Sequence, residues 1–213
     1  MILAKYANAG HKVTILSLTP GERGHPKLSS VDYAAQKKRE AQKCADILGA
    51  ESIVLDYQDA ELPETEELRF EVCDIIRRLK PGIIITHWEK SMHKDHMAAH
   101  RIAMDARFYA GLPRIERDMP AHWVGKVYFS ENWEDMDGFE PDLYVDTTDT
   151  FDQYCEALSS FELWNGGTGW PYSDYYKSLA KMRACIGFGL NSGYASTLAR
   201  PKDAHVQRTR ELP

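Results

Sequence analysis

The sequence predicts an α/β fold with a doubly wound, mostly parallel sheet. Two observations carry that expectation. Helical and strand-like segments alternate along the first half of the chain, which implies right-handed crossovers between parallel strands. In addition, Ile83-Ile84-Ile85 is a continuously apolar strand, as a sheet covered on both faces requires.

Each element has its own signature. Residues 1–10 read as the tail of a helix: Ile2, Leu3 and Tyr6 share a face, and Gly10 stands where a helix end wants a positive φ. A strand follows over His11–Leu18, then the turn-rich Thr19–Pro26. A helix is expected from Val31 to Leu48, stopped by Gly49, and a strand over Ser52–Tyr57. Pro63–Leu79 is amphipathic, with Leu68, Val72, Ile75, Ile76 and Leu79 on one stripe. Pro81-Gly82 breaks it, the Ile83–Thr86 strand follows, and a helix runs over Asp95–Tyr109. Strands at Lys126–Ser130 and Leu143–Val145 and helices at Phe151–Phe161 and Tyr172–Phe188 complete the expected set, with a polar tail after Arg200. A doubly wound sheet normally opens with a strand, whereas this chain opens partway through a helix.

Size and charge exclude several classes. The chain has 213 residues and no internal repeat or linker, so residues 1–213 are expected to form one domain. No apolar run approaches the roughly 20 residues of a membrane helix. A net charge of −6 argues against nucleic-acid partners. Cys44, Cys73, Cys155 and Cys185 lack metal-ligand spacing and are expected to be reduced structural thiols; with no signal peptide, the expected location is the cytoplasm.

Chemistry concentrates at His93-Lys-Asp-His96-Met-Ala-Ala-His100, just past the carboxyl end of the Ile83–Thr86 strand, where open α/β sheets place ligands. A helix aligns His93, His96 and His100 on one face. Neutral imidazoles in proximity suit zinc or iron, and an adjacent carboxylate can orient one through its second nitrogen. The plainer reading is a polar helix start with solvated histidines, His100 being a surface residue.

Three segments taken together, Leu3–Thr14, Arg39–Gly49 and His93-Lys-Asp-His96, resemble the LmbE/PIG-L family of zinc-dependent de-N-acetylases, over about residues 2–195. The resemblance implies a Rossmann-like, LmbE-like fold and removal of an acetyl group from an N-acetylglucosamine-type sugar or glycoconjugate. It implies zinc, or another divalent metal, as cofactor, with His96 as a ligand. His93 would stabilise the oxyanion or protonate the leaving amine, and Asp95 would hold His93 in orientation. Asp59 matches a family aspartate that contacts sugar hydroxyls, and Lys37 a position often held by an arginine facing the substrate's polar end; a loop aspartate and a solvated lysine are the plainer readings. Gly21-Glu-Arg-Gly24 resembles a family loop beside the site, and Tyr194 a tyrosine near the pocket. Many members assemble as homo-oligomers, which no patch here predicts.

One departure is large. The family's Ala-His-Pro-Asp-Asp-Glu motif, after its first strand, supplies two zinc ligands and the general base, and these 213 residues do not contain it. The chain is therefore expected to lack that first strand, to hold one of three metal ligands, and to be inactive by itself. The alternative is a non-catalytic carbohydrate-binding or scaffold protein on the same fold. A nucleotide-binding module is disfavoured, because no glycine-rich phosphate loop follows a strand. Trp164–Pro171 could form an aromatic lid, although tryptophan more often packs.

Overall fold

The computed structural model describes residues 1–189 and 193–202. It is a mixed α/β fold in the order α1 (Ile2–Asn8), β1 (Thr14–Ser17), α2 (Ser30–Leu48), β2 (Glu51–Val54), α3 (Glu66–Leu79), β3 (Ile83–His87), α4 (Lys94–Gly111), β4 (Lys126–Ser130), β5 (Leu143–Asp146), α5 (Phe151–Leu158), α6 (Tyr172–Phe188) and β6 (Ala195–Ala199). Contacts divide it into two compact units. One comprises Met1–Leu62 with Tyr144–Ser196; the other comprises Pro63–Leu143 with the described residues from Thr197 on.

In the first unit, β1 and β2 pair in parallel across the α2 crossover, Thr14 opposite Glu51 and Ser17 opposite Val54. Both strands are shorter than expected, although Glu51 N–H to Val13 O and Leu55 N–H to Ser17 O continue the pairing by one bond at each end. Helix α2 is delimited by chemistry legible in its sequence. The Ser29 side chain accepts the Asp32 N–H at its start, and Gly49 takes the left-handed conformation, φ 70°, at its end. Its apolar face, Cys44 and Leu48, packs with Ala4 and Ala157.

In the second unit, β3 and β4 are parallel, Ile83 opposite Lys126 and His87 opposite Ser130. Strand β6 joins β4 antiparallel, Phe129 opposite Ala199; its small residues carry no strand signal of their own. Val127, Phe129 and Ala199 form a core against Ile84, Trp88 and Met104. Helix α3 starts at Thr65, whose side chain accepts the Leu68 N–H, so Pro63 lies outside it. Leu79, expected on the buried stripe, is exposed, whereas Arg77 is 2 % exposed. Its guanidinium donates to the carbonyls of Tyr109, Ala110, Leu112, Ile115 and Met119. The last carbonyls of a helix have no partner within it, and Arg77 supplies one for the end of α4.

Cys44 and Cys73 are buried as expected, but Cys185 is exposed. Among the described residues, no helix is long and apolar enough to cross a membrane.

Candidate active site

Strand β3 delivers His87 at its carboxyl end, against Ser130 of β4. His100 fixes that point: its Nδ1–H donates to the His87 carbonyl at 2.9 Å, and its ring leans on Phe129 with centroids 4.9 Å apart. His100 is thus a half-buried structural residue of the second unit, not a surface one.

The chain then turns into α4 with His93 as its N-cap. Nδ1 of His93 accepts the Asp95 N–H at 3.3 Å, and its own N–H donates to Ser91 Oγ at 2.9 Å. One turn of backbone brings His96 alongside. The His96 ring stacks on His87 at 4.0 Å and on His93 at 4.8 Å, each 19° from parallel.

A tight turn after β4 completes the cluster. The Asp135 N–H donates to Asn132 O, while the Glu134 carbonyl accepts from Met92 N–H at 3.0 Å and Ser91 Oγ at 3.2 Å. Trp88 Nε1–H donates to Asp137 O at 2.9 Å. These bonds hold the Asp135 carboxylate, 0 % exposed, against two imidazoles. Its Oδ2 lies 2.9 Å from His87 Nδ1 and its Oδ1 2.8 Å from His96 Nδ1. The Glu134 carboxylate stands 3.5 Å from His96 Nε2.

Electrostatics follow from this packing. Burial works against ionised Asp135, but the hydrogen bonds from His87 and His96 outweigh it and hold the carboxyl well below its usual range. Burial likewise disfavours charged His96, and the Asp135 bond, with Glu134 and Asp95 nearby, more than offsets it, so its pKa is raised.

His87, His96 and Asp135 offer two imidazole nitrogens and a carboxylate oxygen within 4.8 Å of one another. That donor chemistry suits a divalent ion such as zinc.

Of the residues singled out in the sequence, His93, Asp95 and His96 come together in the second unit. Asp95 is buried, with its Oδ1 3.8 Å from Lys94 Nζ. Asp59 and Lys37 belong to the first unit. There, Asp59 Oδ2 accepts the Arg23 N–H at 3.2 Å, Oδ1 accepts the Ala60 N–H at 3.0 Å, and its own N–H donates to Glu22 Oε1. These bonds tie Asp59 to the Gly21–Gly24 loop. Lys37 Nζ sits 4.4 Å from the centroid of the Phe161 ring, and burial lowers its pKa. Tyr194 stacks flat on Phe151 at 3.4 Å. Trp164 is 6 % exposed and packs edge-on against Tyr154, so it is a packing residue rather than part of a lid. His87, Glu134 and Asp135 have no sequence signal; only a histidine directly after an apolar strand hints at the first.

The family model described as PIG-L, GlcNAc-PI de-N-acetylase, matches residues 1–107. A diacetylchitobiose deacetylase from Thermococcus kodakarensis is 30 % identical over 171 residues, covering 75 % of this chain and 62 % of that protein. The chain spans less than two thirds of the length of the curated relatives it matches most strongly. Among solved structures, the 4-carboxy-2-hydroxymuconate hydratase from Pseudomonas putida superposes with a TM-score of 0.85 at 22 % identity, over 100 % of this chain and 92 % of that one. An N,N'-diacetylchitobiose deacetylase from Pyrococcus horikoshii gives 0.77 at 20 % identity, over 93 % and 76 %. At such identities the superpositions speak to fold alone, and the fold is theirs. With half of its residues matched by the family model, the chain belongs to the PIG-L family, also called LmbE.

Proposed function

We propose that this chain carries the histidine part of a zinc-dependent de-N-acetylase that removes an acetyl group from an N-acetylglucosamine-type sugar or glycoconjugate. The observation that supports this most is the contrast between two neighbouring rings. His96 turns Nδ1 to a carboxylate, so that nitrogen bears the proton and Nε2 carries a lone pair. His93 turns Nδ1 to a backbone N–H, so its neutral ring bears the proton on Nε2. One imidazole is thereby set up as a ligand and its neighbour as a proton donor.

Amide hydrolysis uses both. A bound divalent ion supplies Lewis acidity toward the amide carbonyl and lowers the pKa of water. His96 would hold that ion through Nε2, with the Glu134 carboxylate 3.5 Å from the same nitrogen as a neighbouring oxygen donor. His93 would donate to the developing oxyanion or to the departing amine, and Asp95, through its backbone N–H, fixes which nitrogen of His93 does so. Asp59 and Lys37 would bind the sugar's hydroxyls and the substrate's polar end.

Catalytic zinc takes three protein ligands as a rule. The 213 residues contain no His-x-Asp-Asp run, the family's source of two ligands and a base. Acetate release from N,N'-diacetylchitobiose, followed with added zinc, is therefore expected to be absent for these 213 residues alone. It should appear in a polypeptide extended at the N-terminal side by a strand and a His-x-Asp-Asp turn. In that protein His96→Ala and His93→Ala should each lower kcat/KM by about 10²–10⁴. Sugar binding without metal, indifferent to both substitutions, would instead support a carbohydrate-binding protein. Extended protein that takes up no zinc by elemental analysis would end the hydrolase reading.

A further inference from the structure

We infer that Asp135 is a positioning residue of the metal centre: it sets the tautomer of both His87 and His96 and is not itself a ligand. The inference rests on the reading of His96 as a metal ligand, but its geometry stands independently of that reading.

Three observations carry it. First, an ionised carboxylate can only accept hydrogen bonds. With Oδ2 2.9 Å from His87 Nδ1 and Oδ1 2.8 Å from His96 Nδ1, both rings must present N–H to it. Each proton on Nδ1 leaves the lone pair of the neutral ring on Nε2. Second, those spacings are hydrogen-bond lengths. Donors around a tetrahedral zinc at 2.0–2.1 Å stand about 3.3 Å apart, so Asp135 and the Nδ1 atoms would have to separate to share an ion. Glu134 and His96 Nε2, at 3.5 Å, already have about that spacing. Third, the two rings lie 4.0 Å apart and 19° from parallel. Imidazole lone pairs lie in the ring plane, so those of His87 and His96 run side by side and do not converge. A single ion held by His96 Nε2 would therefore not be shared with His87 Nε2 in this ring arrangement.

The backbone supports the same division of labour. The Glu134 carbonyl is held by both Ser91 Oγ and Met92 N–H, which ties the Asp135 turn to the segment that launches α4. Metal-binding histidines commonly donate their other N–H to a carboxylate, and losing that partner typically costs 10–100-fold in metal affinity.

The test is nitrogen-15 NMR of the full 213-residue chain at alkaline pH, where the rings are neutral. Long-range proton–nitrogen correlations distinguish the tautomers. Wild type should show His87 and His96 protonated at Nδ1. Asp135→Asn offers one acceptor and one donor in nearly the same shape, so one of the two rings must move its proton to Nε2. A role in folding alone would not alter which nitrogen is protonated. In the N-terminally extended protein, zinc chloride should then shift His96 Nε2 while its Nδ1–H signal survives, and Asp135→Asn should weaken that binding 10–100-fold. His96 protonated at Nε2 in wild type would overturn the inference even if the variant fails to fold. So would loss of its Nδ1–H on adding zinc, because Asp135 would then be a ligand. Correct tautomers with no zinc response at His96 in the extended protein would leave Asp135 as assigned and count against the metal reading of His96 instead.

Discussion

Two aspartates, one in each compact unit, show how the partners of a carboxylate decide what it does. Asp59 is half-buried, and its oxygens accept backbone N–H groups from Arg23 and Ala60. Such donors cannot change protonation state, so these bonds shape a loop. Asp135 is fully buried, and its oxygens face two imidazoles that can. A carboxylate with those partners fixes charge and tautomer in the groups that do chemistry. Both residues are well satisfied, but only the second is committed to titratable side chains.

Truncating each aspartate breaks the comparison most sharply. Asp135→Ala leaves two half-buried imidazoles without their common acceptor, and hydrogen bonds to a charged group are worth about 1.5–3 kcal/mol each. Asp59→Ala removes a local acceptor of backbone N–H groups and should cost about 1 kcal/mol. Urea unfolding of the two variants measures both. Equal losses would mean that the Asp135 pair is worth no more than a loop contact.

The pH dependence sharpens the point. The Asp135 carboxyl is held below its ordinary 3.8, so its contribution is present above that value and is lost as pH falls through the folded pKa. The His96 pKa lies above its ordinary 6.5, so its contribution is present below that value and is lost as pH rises through the folded pKa. The stability gap between wild type and Asp135→Asn should accordingly be widest between about pH 4 and 6.5 and narrow on both sides. A gap that is flat with pH would show that the pair is not coupled to protons.

The same contrast explains what was legible in the sequence. Local rules sufficed for the end of α2, where Gly49 stops the helix as expected, and for α6, found at Tyr172–Phe188 as expected. His93, Asp95 and His96 were legible because they share one turn of helix. Asp135 was not: it stands 39 residues from His96 and 48 from His87, and it meets them only because β3 and β4 pair in register. Arg77 escaped for a similar reason, since the carbonyls that draw it inside belong to α4 and the chain beyond it. Strand β6 had no pattern of its own and exists because β4 offers it an edge.

Lys37 provides the smallest and most delicate test. Its ammonium lies over the Phe161 ring, a contact worth roughly 0.5–1 kcal/mol, while burial disfavours its charge. The two effects oppose each other, so Lys37→Met should change stability by no more than about 1 kcal/mol at pH 7. Because burial lowers its pKa, the folded chain sheds the Lys37 proton before the unfolded chain does as pH rises toward 10.5. Wild type therefore gains stability relative to the methionine variant over that range. Urea midpoints of both proteins at pH 7 and pH 10 should show that drift, and parallel midpoints would mean the ammonium is fully hydrated. If Lys37 also meets the polar end of the substrate, the same variant in an active, extended protein should raise KM with little change in kcat. A fall in kcat at constant KM would move Lys37 from binding toward the reacting atoms.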